Sequence, residues 1–276
     1  MTDNDKDFIL NNTERSCSSL DNASEESIIQ EPILSLEGIT KRFPLSSNAN
    51  EDKTYFYALK DITFSLNKND FVVLGGANGS GKSLLMTIIA GLVKQSTGKV
   101  TRKSSIGLVF QNPDLQILGE TPWEDVLIGP KNKGIKGEQL NALGKEALQK
   151  VGLSEKAHFP SRSLSGGEKR RLATAGILAL ERDIIIFDEP YANLDYPGVQ
   201  QVNSLLKQLH QAGKTLVVLT HELEKCLALA TRFIVLYHGQ LVFDDSPQEG
   251  LQQNLESWAI RNPLRQYKAL EDLVWN

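Results

Sequence analysis

The densest chemistry in the chain lies in Gly76-Ala77-Asn78-Gly79-Ser80-Gly81-Lys82-Ser83. The spacing is G-x-x-x-x-G-K-[ST], the pattern of a phosphate loop. Glycines let the backbone turn so that successive N–H groups point into a nest for phosphate oxygens. A helix that follows such a loop adds the positive end of its dipole. Lys82 can reach the β- and γ-phosphates, and the Ser83 hydroxyl can ligate Mg²⁺. A second group is Ile184-Ile185-Ile186-Phe187-Asp188-Glu189, four apolar residues that end in two carboxylates. A charged group at the end of a buried strand needs a partner or a cation. Asp188 suits the metal, and Glu189 suits the task of orienting and polarising an attacking water. A third group is Ser165-Gly166-Gly167, which opens a predicted helix and offers free N–H groups as a second anion site. Together these residues point to nucleoside-triphosphate hydrolysis.

The elements that must position them alternate. Phe71 to Leu74 is a short apolar run, and Lys82 to Val93 has helical spacing. Apolar runs recur at Ile106–Phe110, Ile184–Phe187, Leu216–Leu219 and Phe233–Leu236. Between them the spacing predicts helices over Glu138–Val151, Gly166–Leu180 and Gly198–Gln211. Such alternation argues for an α/β fold, a mainly parallel sheet covered by helices. Before it, Ile33–Leu36 begins a strand-like stretch, and Tyr55–Leu66 alternates like a half-buried strand. The polar insert Leu45–Thr54 reads as a surface loop or hairpin tip.

Leu164-Ser165-Gly166-Gly167-Glu168, placed shortly before the acidic strand and after the phosphate loop, resembles the signature of ATP-binding-cassette (ABC) ATPases. The resemblance covers about residues 33 to 245. It implies a P-loop NTPase fold of the ABC nucleotide-binding type, with an antiparallel β subdomain and a helical signature subdomain. It also implies two subunits packed head to tail, each phosphate loop sharing ATP and Mg²⁺ with the other's signature. ATP would then meet Gly76, Asn78, Gly79, Ser80, Gly81, Lys82, Ser83 and Leu84 of one subunit. From the other it would meet Ser165, Gly166, Gly167 and Glu168. Gln111 sits where the family has a glutamine that contacts Mg²⁺ and the water, so the metal set is Ser83, Gln111 and Asp188. His221 matches the histidine that hydrogen-bonds the γ-phosphate, which joins it to Glu189 and Lys82 in catalysis. Asn193-Leu194-Asp195 resembles the loop that crosses the subunit interface. Phe43 is the choice for stacking on adenine, with Tyr55 and Tyr57 as rivals. Three positions depart from the pattern. Glu168 replaces a glutamine; it can keep a polar contact but is expected to add negative charge near the nucleotide. Leu84 replaces a hydroxyl residue, and Ala77 a proline.

The stretch Val109 to Ile117, continuing through Glu124-Asp125 to Pro130, is similar to energy-coupling-factor transporter ATPases, which drive uptake of vitamins or of cobalt and nickel ions. The resemblance implies a transmembrane coupling subunit, a substrate-binding membrane subunit and a second ABC ATPase, identical or related. It places the chain on the cytoplasmic face of the membrane. Asp114, Glu120, Glu124 and Asp125 would make an acidic groove suited to arginine side chains of the coupling helices. An ABC ATPase of another importer class, or a soluble non-transport assembly factor, is the alternative. A nucleotide-binding regulatory module without turnover is a further one.

Composition bounds these readings. The 276 residues are 40% hydrophobic and carry 30 basic against 34 acidic side chains, so there is a core but no basic excess of the kind free-standing nucleic-acid binders show. No nucleic-acid partner is expected. The longest apolar stretch, Leu172–Leu180, falls well short of a span of roughly 20 residues. Cys17 and Cys226 are too few for a disulfide scaffold, which fits a reducing compartment. No secretory signal is expected, because Asp3, Asp5 and Asp7 precede any apolar run. Residues 1–31 are expected to be a disordered polar tail and 32–246 the nucleotide-binding domain, with its helical subdomain at about 112–181. Residues 247–276 are expected to be a helical extension with an apolar face from Trp258, Ile260, Leu264, Tyr267, Leu270 and Trp275.

Overall fold

A computed structural model of the chain describes residues 31–45 and 54–270, so the expected polar tail up to residue 30, the hairpin tip and Trp275 lie outside the described residues. In chain order the elements are β1 (Leu34–Pro44), β2 (Tyr55–Leu66), β3 (Phe71–Gly75), α1 (Lys82–Ile89), β4 (Thr97–Arg102) and β5 (Ile106–Val109). They continue with α2 (Pro122–Asn132), α3 (Gly137–Lys150), α4 (Gly166–Ala179), β6 (Ile184–Asp188), α5 (Tyr196–Gln211), β7 (Thr215–Leu219), β8 (Arg232–Tyr237), β9 (Gln240–Asp245) and α6 (Pro247–Leu251).

The strands form two sheets. One is antiparallel, ordered β2-β1-β4. The other is ordered β5-β6-β7-β3-β8-β9, parallel throughout except for β9 at its edge. Unbroken apolar runs suit this sheet because both of its faces are covered. In β3, Val72 and Leu74 face a core shared with α1 and the antiparallel sheet, while Phe71 and Val73 face a second core with α5. In β6, Ile184 and Ile186 face the first core, and Ile185 and Phe187 the second. A third core, built on Val126, Leu148 and Leu172, joins α2, α3 and α4.

Three differences from the sequence reading have local causes. The helix predicted over Lys82–Val93 stops at Ile89, and Gly91 then turns left-handed at φ 81°. Neither β4 nor β9 carries a strong apolar run; β4 is recruited to its sheet by pairing with β1, and β9 by pairing with β8. Of the helical extension expected over 247–276, the described residues up to 269 hold only the five residues of α6 and one 3₁₀ turn, Leu255–Trp258. Ala259 adopts φ 55°, and Pro263 soon follows, so no continuous helix can form there. Its apolar face is divided accordingly. Trp258 packs on Phe243 and Ile260 is buried, whereas Leu264 and Leu270 stay exposed.

Candidate functional site

The parallel order puts the carboxyl ends of β6, β7 and β3 side by side. The three chemical groups of the sequence meet or part according to what leaves those ends. After β3 the backbone passes between β8 and β2 before it enters α1. Gly76 runs against β8, where an added Cβ would lie 2.3 Å from the Leu236 carbonyl oxygen. Gly81 is the N-cap of α1 in left-handed geometry, φ 101°, and an added Cβ there would lie 2.7 Å from the Leu59 side chain. Only glycine fits either place. Asn78 and Gly79 form the exposed rim of the loop. The first turn of α1 holds no acidic residue and no capping side chain, which leaves its positive end unopposed.

Lys82 is buried, and its Nζ donates to the carbonyls of Gly76 at 2.6 Å and Ala77 at 3.1 Å. Burial pulls its pKa below the ordinary lysine value, against the opposing pull of Glu189 and Asp188. Next to it, the Ser83 hydroxyl donates to Asp188 Oδ1 at 3.1 Å. Burial raises the Asp188 pKa. The Ser83 bond opposes this rise, the Glu189 charge adds to it, and Lys82 draws it down. Leu84 turns its side chain against the first core.

Glu189 follows the end of β6 in a left-handed conformation, φ 47°, with its N–H bonded to the Leu219 carbonyl of β7 at 2.9 Å. Its side chain is buried. Oε1 lies 3.1 Å from Nδ1 of His221, which stands just beyond β7. An ionised carboxylate only accepts, so Nδ1 carries the hydrogen in this pair. Oε2 is buried without a partner among the described residues, and so is Oγ of Ser80. Two orphaned oxygens beside a phosphate-type loop mark groups reserved for something outside the chain.

Ser83 and Asp188 offer hard oxygen donors, a set that fits Mg²⁺. Among the described residues no cluster of three or more His, Cys, Asp or Glu side chains could hold an ion by itself. Mg²⁺ commonly binds in this way, through one or two protein oxygens together with water and substrate phosphates.

The signature residues stand apart from this group. Ser165 to Glu168 make no hydrogen bond or ion pair with residues 76–83, Asp188, Glu189 or His221 among the described residues. Ser165 caps α4 in a capping box. Its Oγ accepts from the Glu168 N–H at 3.3 Å, and its own N–H donates to Glu168 Oε2 at 2.9 Å. Glu168 Oε1 is 2.5 Å from Lys156 Nζ. The Lys156 bond and then the Ser165 N–H hold the Glu168 carboxyl below the usual range. Both carboxylate oxygens of Glu168 are thus engaged within the chain, and its negative charge is paired with Lys156. Gly166 and Gly167 differ from the loop glycines. A Cβ on Gly166 would meet nothing within 4 Å, and one on Gly167 only Leu194 at 3.8 Å.

Gln111 lies just past β5 with its side chain exposed, and its carbonyl accepts from Arg170 at 3.4 Å. The same guanidinium donates to the Ala192 carbonyl at 2.8 Å, which ties α4 to the segments of Gln111 and Asn193-Leu194-Asp195. Asp195 caps α5 through the Gly198 N–H at 2.9 Å. Phe43 is exposed at the turn end of the β1–β2 hairpin, opposite Phe56. Tyr57 is equally exposed, whereas Arg42 covers the ring of Tyr55 at 4.1 Å.

The expected acidic groove is corrected. A cleft of about 600 Å³ is lined by Asp114, Glu120, His158, Arg162 and Lys169, and so carries both signs. Asp114 is paired with Lys169 at 2.7 Å, and Glu124 is held in the Thr121 capping box. Asp125 is buried, accepting from the N–H groups of Leu118 at 2.7 Å and Gly119 at 2.9 Å; burial raises its pKa against those two donors. Sequence reasoning missed Lys156, Arg170 and Tyr191, whose hydroxyl donates to Asn203 at 2.7 Å. The Ser-x-x-Glu spacing at 165–168 could have revealed the capping box, but nothing local marks its partner Lys156.

The ABC transporter family matches residues 59–192. An energy-coupling factor transporter ATP-binding protein of Methanospirillum hungatei is 35% identical over 234 residues, which are 79% of this chain and 56% of that protein. The chain thus spans little more than half the length of that relative. Proteins described in the same terms from Methanocaldococcus jannaschii (37% identical, 69% of this chain, 74% of that protein) and Enterococcus faecium (36%, 79% and 81%) are covered more fully. Among solved structures, cbiO1 of Clostridium perfringens, part of the ABC transporter complex cbiONQ, superposes with a TM-score of 0.70. It is 28% identical and covers 81% of this chain and 92% of its own. A dimeric ATP-binding cassette with bound ADP and phosphate has a TM-score of 0.68 at 29% identity and covers 78% of this chain and 98% of its own.

Proposed function

The chain belongs to the ABC transporter family of ATP-binding proteins, and from that premise we propose that it is the ATP-hydrolysing subunit of an energy-coupling-factor importer for a vitamin or a transition-metal ion. It works at the cytoplasmic face of the membrane, as one half of an ATPase dimer docked on a coupling subunit and a substrate-binding membrane subunit. No helix among the described residues is long and apolar enough to cross a membrane, so in this reading the pathway belongs to those partners.

One observation carries the proposal. A phosphate loop, the Ser83–Asp188 hydrogen bond and the Glu189–His221 pair converge on adjacent strand ends, with an unpartnered Glu189 oxygen among them. Lys82 exchanges its bonds to the Gly76 and Ala77 carbonyls for the triphosphate oxygens. Ser83 and Asp188, with Gln111, hold Mg²⁺, which when bound supplies charge neutralisation on the phosphates. Glu189 orients the attacking water and takes its proton at Oε2, while Oε1 keeps its bond to His221. That bond fixes the carboxylate and the ring; Nε2 of His221 donates to a phosphate oxygen when both ring nitrogens carry a hydrogen. Phe43, at the hairpin end, is the base-stacking residue in this reading.

Gly166 and Gly167 supply the second half of the site. Their lack of a Cβ serves no close contact among the described residues, which is the pattern expected where a partner's nucleotide packs on the helix end. The test is hydrolysis by the chain co-expressed with its membrane partners. Wild-type turnover should rise with those partners present, and Lys82→Ala should lose both ATP binding and turnover. Hydrolysis surviving in Lys82→Ala would overturn the site.

A further inference from the structure

Residue 168 sits in the first turn of α4, where the helix must present positive potential if it is to receive a phosphate. A carboxylate there stabilises the helix and competes with an incoming anion. The capping box engages the N–H groups of Ser165 and Glu168, and those of Gly166 and Gly167 have no acceptor among the described residues. The uncancelled charge of Glu168 would therefore stand within one turn of the donors the nucleotide needs. The adjacent cation, Lys169, does not cancel it, because Lys169 is paired with Asp114. The cation on Glu168 is Lys156, from the 3₁₀ turn Ser154–Lys156 that precedes α4 by several residues. The Glu168 side chain is only 16% exposed, which makes the pair a better defined one than most surface pairs.

We propose that Lys156 is a positioning residue for the ATP site: by neutralising Glu168 it restores the anion-accepting character of the α4 terminus that a glutamic acid would otherwise diminish. This rests on the reading above, in which that terminus faces a nucleotide held by the partner subunit.

The experiment is a double-mutant cycle on the chain purified with its co-expressed subunits, reading KM and kcat for MgATP in wild type, Lys156→Met, Glu168→Gln and the double variant. A helix-end charge of this kind corresponds to about threefold to tenfold in affinity. Lys156→Met should raise KM by about that factor with the smaller effect on kcat, and Lys156→Arg should restore it. In the Glu168→Gln background the same Lys156→Met change should move KM by less than about twofold. Thermal melting without nucleotide checks that each variant is folded; loss of folding in Lys156→Met moves the comparison to Lys156→Gln. An equal rise in both backgrounds, or no rise in either, overturns the proposal. Ser165→Asp separates the two levels. If Ser165→Asp raises KM while Lys156→Met is silent, charge compensation fails and the nucleotide-facing terminus stands. If neither changes KM or kcat, the terminus does not face the nucleotide and both readings fall.

Discussion

Glu189→Gln separates what residue 189 does for chemistry from what it does to the fold. The carboxylate is buried, one oxygen is held by His221 and the other has no partner among the described residues, on a backbone at φ 47°. An unpaired buried oxygen costs about 1–3 kcal/mol, and more when it carries charge. A non-glycine residue in left-handed geometry costs about another 1 kcal/mol, which the substitution leaves unchanged. Glutamine keeps the shape, removes the charge and still offers an oxygen to His221 Nδ1. The nucleotide-free chain should therefore become more stable by about 1 kcal/mol, a rise in Tm of about 2 °C for a chain of this size. Turnover should fall by about 10²–10⁴-fold, the usual worth of a positioned general base. ATP binding should persist, because Lys82, Ser83 and Asp188 are untouched. The assay pairs thermal unfolding without nucleotide with ATP titration and single-turnover hydrolysis. A loss of turnover below about tenfold would refute the general-base assignment. A drop in stability would show instead that the orphaned oxygen has a partner in solution or that its attraction for the buried Lys82 outweighs the cost of burying it.

Four further outcomes follow from the structure. Gly76→Ala drives a Cβ to 2.3 Å from the Leu236 carbonyl and should destabilise the fold by about 2 kcal/mol or more. Gly166→Ala meets nothing within 4 Å and should leave chemical denaturation within about 0.5 kcal/mol of wild type, yet lower hydrolysis by about tenfold or more. Asp125→Ala strips the acceptor from the N–H groups of Leu118 and Gly119 and should cost about 2–4 kcal/mol in urea unfolding. Asp125→Asn, which keeps an acceptor oxygen, should cost about 1 kcal/mol or less. Burial holds the Lys82 pKa below 10.5, so the native chain releases that proton at a lower pH than the unfolded chain does. As pH rises through the window below 10.5, stability without nucleotide should gain from relief of the buried charge, while ATP affinity falls with loss of the ammonium. The two quantities moving in the same direction in a pH series would contradict the placement of Lys82.

The phosphate loop, the acidic strand end and the alternation of strands with helices were legible from residue types, because each depends on local rules. Glycine spacing sets the turn, an unbroken apolar run sets a strand covered on both faces, and carboxylates at its end require a partner. The C-terminal segment misled because its apolar residues have helical spacing, whereas Ala259 and Pro263 break the backbone that would carry it. The acidic groove misled for a different reason. A carboxylate reads the same in sequence whether it faces solvent, caps a helix like Glu124 or is buried beneath two N–H donors like Asp125. The sequence alone thus determined which chemical groups exist and which strand or loop bears them. Tertiary structure decided which groups meet: Ser83 with Asp188, Glu189 with His221, Lys156 with Glu168. The first two pairs join residues at least 32 positions apart. Such pairings depend on the order in which strands join the sheet and on how loops pack, and no local preference encodes either.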